Sequence, residues 1–128
     1  MHSGTEQGRL ALHLQAILGM DGYISLCGDL GGTRLYVPYS FSDEHAVVGA
    51  VGRDLADKLS RAMAPATIRV PLARRERALY WRAKGLSDAA VARKLGMTEN
   101  GIGKLFAREQ ALPERPGSAS RDRQMSLF

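Results

Sequence analysis

The sequence predicts a mainly α-helical protein with one or two short β-strands. Apolar residues recur at helical spacing over 6–19, 43–63 and 72–108. Two short β-like segments, Thr33-Arg34-Leu35-Tyr36-Val37 and Thr67-Ile68-Arg69-Val70-Pro71, are each closed by a proline. The length of 128 residues, 45% of them hydrophobic, suits about one small globular domain, with no room for a deep cleft between two.

Residues 6–19 read as an amphipathic helix, with Leu10, Leu14, Ile17 and Leu18 on one stripe. Gly19 and Asp21-Gly22 are expected to end it. Residues 23–30 read as a short helix, because Gly31-Gly32 follows and glycine commonly closes a helix. The strand 33–37 then raises an accounting question. Its backbone donors and acceptors need a partner, either elsewhere in the chain or in a second subunit. Ser42 is the expected N-cap of a single helix over 43–63, with Asp43 and Glu44 in its first turn. Val47, Val51, Leu55, Leu59 and Met63 recur every four residues along it. Such a helix is about 30 Å long. Its length, beside a strand without a partner, suggests a core completed by a second copy. Pro65 stops it. The segment 67–71 echoes 34–38 at an offset of 33 residues, and Leu26 and Leu30 line up with Leu59 and Met63. This reads as a weak internal repeat, against the alternative of chance similarity.

Several function classes are disfavoured. One cysteine, Cys27, allows no internal disulfide framework and no cysteine-rich zinc module. His2, His13 and His45 stand far apart, so no metal site and no cofactor is expected. No paired carboxylates, phosphate-cradling glycine loop or Ser/His/Asp set is legible, so an enzyme is not expected. Asp43-Glu44-His45, at a helix start, reads as capping. No apolar run approaches the roughly 20 residues of a membrane span, and no signal-peptide order opens the chain. The expected compartment is a reducing cytoplasm.

The net charge is +5, but it is concentrated. Residues 69–108 hold ten Lys/Arg against three acids, while 1–68 hold five against seven. A clustered basic stretch is the electrostatic footprint of a polyanion partner, or else a solvated helix face. The same stretch predicts three helices. The first runs from Leu72 to Lys84, with Pro71 at the permissive first position. The second, capped by Ser87, runs from Asp88 to Leu95. The third, capped by Thr98, runs from Glu99 to Glu109. Steeply crossing short helices need a small residue at their contact and a residue tolerant of positive φ in the turn. Ala92, Gly96 and Ile102 fit these roles. The third helix would offer Asn100 to a base edge and Lys104 and Arg108 to guanine or phosphate. Arg74, Arg75, Arg77, Ser87, Thr98 and Glu99 complete the expected double-stranded DNA contacts. Gly101 and Gly103 weaken that helix and remove side chains that reach bases.

Residues 23–108 resemble the Mor family of phage middle-operon transcription activators. The resemblance is carried by Gly31-Gly32-Thr33-Arg34-Leu35-Tyr36-Val37-Pro38, by the helix after it, and by Gly85 to Thr98. It implies an N-terminal helical dimerisation domain over 6–66, with an intersubunit β-ribbon and intertwined helices, followed by a C-terminal helix-turn-helix over 67–111. A homodimer on a two-fold-like site is implied, with Leu35, Tyr36, Val37, Val47, Val51 and Leu55 as dimerisation residues. Many members also contact RNA polymerase, though no residue here is assigned to that contact.

Residues 112–123 are rich in Pro, Gly, Ser and Arg and read as a disordered linker, about 19 Å in typical span. The chain then ends on Gln124-Met125-Ser126-Leu127-Phe128. This pentapeptide resembles the peptide that binds the bacterial DNA polymerase III sliding clamp, Gln-Leu-(Ser/Asp)-Leu-Phe, with Met125 in place of leucine. The resemblance implies that Gln124 takes a polar subsite and that Leu127 and Phe128 fill an apolar pocket. The expectation is a DNA-binding regulator of phage or prophage type that docks on the host clamp and couples transcription to replication. The alternatives are a replication modulator competing with polymerases for the clamp pocket, a Mor-like activator with no clamp role, and an adaptor without DNA affinity.

Overall fold

A computed structural model describes residues 4–110. It is mainly helical with a two-stranded antiparallel sheet. The order is α1 (Gly4–Leu30), β1 (Arg34–Val37), α2 (Ala46–Val51), α3 (Arg53–Met63), β2 (Ala66–Arg69), α4 (Arg74–Ala83), α5 (Asp88–Leu95) and α6 (Glu99–Gln110). Two compact units divide between Tyr80 and Trp81, inside α4. The expected boundary at 66–67 is therefore too early. β2 belongs with its ladder partner β1, and Tyr80 donates its hydroxyl to Asp21 of α1. The expected linker 112–123 and terminal peptide 124–128 lie outside the described residues.

In the first unit, Gly19 interrupts α1 with φ 75° and ψ 168°, a conformation that only glycine adopts freely. The helix resumes at once, so Asp21 and Gly22 are helical rather than a loop. Contrary to the sequence expectation, Gln7–Leu30 is long and apolar enough to cross a membrane by length and composition. Here its apolar side, Leu14, Ile17, Leu18, Tyr23, Ile24 and Leu26, is buried in the unit's core.

The single helix expected over 43–63 is two helices. Gly52 breaks it at φ 90° and ψ 164°. The cap is His45 rather than Ser42: its Nδ1 accepts from the Val47 N–H at 3.0 Å. Asp43 and Glu44 therefore precede the helix. Asp43 instead joins Asp57 in holding the Arg53 guanidinium, which also donates to the Phe41 carbonyl. The long helix that argued for a second copy is absent.

The strand's partner lies in the same chain. β1 and β2 pair antiparallel, with Arg34 opposite Arg69, Leu35 opposite Ile68, Tyr36 opposite Thr67 and Val37 opposite Ala66. Backbone pairing continues to Val70, which bonds Gly32 and Thr33. This corrects the expected intersubunit ribbon, because the second β-like segment satisfies the first. Of the expected dimerisation residues, Leu35, Val37 and Val47 are buried within one chain. Val51 and Leu55 are half-buried, and Tyr36 is exposed. Gly31 has a steric reason: a Cβ there would stand 2.3 Å from the Cys27 carbonyl and 3.1 Å from that of Pro71.

α4 starts at Arg74, later than expected. Pro71 and Leu72 precede it, and Ala73 turns the chain at φ 52°. In the second unit, α5 and α6 enclose a small core of Val91, Ala92, Leu95, Ile102 and Phe106.

Candidate nucleic-acid interface

The second unit is built around the turn between α5 and α6. The Ser87 hydroxyl caps α5, accepting from the Ala90 N–H at 3.2 Å. α5 then ends on Gly96, left-handed at φ 69° and ψ 32°. The Met97 N–H reaches the Ala92 carbonyl at 2.9 Å and the Gly96 N–H turns back to Arg93, the paired bonds of a Schellman closure. α4 ends the same way at Gly85, with bonds from Leu86 to Trp81 and from Gly85 to Arg82. Thr98 caps α6, its Oγ1 accepting from the Gly101 N–H at 2.9 Å. Ala92 and Ile102 are buried, and Gly96 supplies the positive φ.

Packing of its apolar residues fixes which side of α6 meets solvent. Ile102 and Phe106 face inward, while Asn100, Lys104 and Arg108, four residues apart, are all exposed. Thr98 and Glu99 are exposed at the helix start, and Arg93 and Lys94 at the end of α5. Two cations of this unit, Lys94 among them, lie over aromatic rings. The Arg82 guanidinium lies 4.1 Å from the Phe106 ring centre, and Lys94 Nζ 4.3 Å from that of Trp81. The two glycines of α6 differ. A Cβ on Gly101 would crowd Thr98 Oγ1 at 3.2 Å, so the cap itself favours glycine. A Cβ on Gly103 would meet open space. Among the described residues no group of His, Cys, Asp or Glu is placed to hold a metal ion.

Arg74, Arg75 and Arg77 fall in the first unit. Arg74 and Arg75 are exposed. Arg77 is not a surface contact: it is 8% exposed and donates to the Leu72 carbonyl at 3.3 Å. Burial lowers its pKa, with the Cys27 side chain acting in the opposite sense. Its place beside Ala78 on the inward side of α4 removes it from the set.

The fold also gathers cations that sequence spacing did not. Arg34 and Arg69, 35 positions apart, sit directly opposite on the exposed face of the ribbon. Like charges opposite one another destabilise a ladder unless something negative meets them. Arg69 is held by a 3.0 Å bond to the Gly32 carbonyl. The repeat at offset 33 marks the two segments as alike in sequence, but only the fold shows that they pair.

No family model matches this chain, and neither the curated proteins nor the solved structures contain a significant match.

Proposed function

We infer that the protein is a double-stranded DNA-binding regulator that acts by docking rather than by chemistry. The carrying observation is the α5–turn–α6 arrangement: Ala92 and Ile102 buried, Gly96 in the left-handed turn, and Asn100, Lys104 and Arg108 on the exposed side of a capped helix. This is what a helix-turn-helix needs to lay its second helix in a major groove. Asn100 is the candidate for an adenine edge, and Lys104, Arg108 and Arg93 for phosphate or guanine. Arg34 and Arg69 offer the first unit a phosphate contact of its own.

The terminal Gln124-Met125-Ser126-Leu127-Phe128 supports a second partner, the bacterial sliding clamp. A DNA-bound molecule tethered to the clamp ties regulation to passage of the replication machinery. Fluorescence anisotropy tests both halves. The full chain is expected to bind duplex DNA with strong salt dependence, and a K104A/R108A variant to lose most of that affinity. Salt-independent or absent binding sinks the DNA reading. Clamp binding is expected to vanish in a chain ending at Arg123. Clamp binding that survives this truncation, or its absence from the full chain, sinks the tail's role.

A further inference from the structure

Two stretches of the first unit, 13–38 and 46–71, correspond at the offset of 33 in far more than the strand and proline that first align them. Gly19 (φ 75°, ψ 168°) answers to Gly52 (φ 90°, ψ 164°). Each break is followed by a helix of the same length, 20–30 and 53–63. Each helix closes with the same 2.9 Å bond, Gly31 N–H to the Cys27 carbonyl and Ala64 N–H to the Ser60 carbonyl. Each leads into a strand and a proline. Every buried position of 46–71 has a buried equivalent in 13–38: Val47 with Leu14, Ala56 with Tyr23, Leu59 with Leu26, Ser60 with Cys27, Val70 with Val37.

A two-fold axis brings equivalent residues against each other. Leu35 and Ile68 are equivalents, and they are cross-strand partners. Gly22 and Leu55 are equivalents too. A Cβ on Gly22 would lie 2.9 Å from Leu55 Cδ1, so Leu55 occupies the space that the glycine leaves. Two such self-meeting pairs define an axis. The second also separates a fused body from a pair of subunits. Identical subunits would place the same side chain twice at the axis. One chain can place a glycine against a leucine, and this one does.

The geometry points to an internally duplicated body, closed about its own two-fold axis within a single chain. The protein therefore meets its duplex as a monomer, with one α5–α6 reader on a single, unrepeated recognition sequence. The second half of this statement rests on the DNA-binding reading above; the first does not.

Three measurements on the full chain test it. Sedimentation across a wide concentration range is expected to give one species near 13.9 kDa. A species of twice that mass at all concentrations overturns the single-chain body. The axis is tested by exchange. Gly22→Leu and Leu55→Gly are each expected to lower the melting midpoint by roughly 5–20 °C. The double variant G22L/L55G is expected to recover most of the loss, since a two-fold environment accepts the pair in either order. A double variant no better than its worse single overturns the axis. Selection from random duplexes is expected to return one unrepeated sequence bound by one protein copy. An inverted repeat bound by two copies overturns the monomeric reader. Absence of any DNA binding defeats the functional reading while leaving the mass and the exchange to decide the body.

Discussion

Gly103 is costly in isolation, since an interior helical glycine loses about 0.5–1 kcal/mol relative to alanine. Among the described residues nothing lies within 4 Å of a Cβ built there, so no packing seen here calls for the missing side chain. On the DNA-binding proposal, a groove wall approaching that side of α6 would account for the residue. Gly103→Ala is expected to raise stability by about 0.5–1 kcal/mol in denaturant titration while weakening DNA binding by about tenfold. A stabilised variant with unchanged affinity would place the duplex elsewhere. Gly101→Ala behaves differently, because its Cβ meets the Thr98 cap at 3.2 Å, and the helix gain is offset there. Cys27 illustrates burial acting on chemistry. It is 1% exposed, and desolvation pushes its thiol up to about 11, against smaller opposing effects from Tyr23 and Arg77. The thiolate is the reactive form, so native protein should react slowly with a disulfide reagent at pH 8 and steeply faster as pH approaches 11. Unfolded protein should react at once. Because the folded pKa is raised, this thiol's contribution to stability is intact below the unfolded thiol's pKa and is lost as pH rises through about 11.

Turns and caps separate what was legible in the residues from what was not. The α5–α6 unit was readable nearly in full, because Ser87, Gly96 and Thr98 are local signals read by local backbone geometry. Gly96→Ala is expected to cost about 1 kcal/mol through its left-handed φ, visible as a lower melting midpoint. Gly31→Ala is expected to cost about 2 kcal/mol or more, because its new methyl meets backbone carbonyls on two sides. The break at Gly52 was not legible. The apolar residues Val47, Val51, Leu55 and Leu59 keep their spacing of four across it, so periodicity alone continues the helix. The His45 cap was hidden for a related reason. Ser42 and Asp43 are the commoner capping types, and only the chain's path selects an imidazole nitrogen three residues later. Arg77 shares its charge with Arg74 and Arg75, but not their exposure. Spacing records a cation, and the inward side of α4 decides that it is buried.

At the scale of the whole molecule, the proposed function divides by charge and by length of chain. The strands are distant in sequence, so their pairing, and with it the boundary at Tyr80 rather than 66, depends on tertiary contacts that no local signal reports. The net charge of +5 then sits on surfaces that can be removed one at a time. Each phosphate contact that releases a counterion contributes about 0.9 to the slope of log affinity against log salt. Lys104→Ala and Arg108→Ala together are expected to lower that slope by about 2, and Arg34→Ala with Arg69→Ala by a similar amount if the ribbon meets the same duplex. Removal of Gln124 to Phe128 should leave the slope unaltered, since the peptide carries no basic residue. Clamp affinity should respond in the opposite pattern, lost with the peptide and kept in the K104A/R108A variant. That double dissociation is what would assign DNA and the clamp to separate surfaces. If the salt slope and the clamp affinity fall together in either variant, the two partners share a surface and the division of labour proposed here fails.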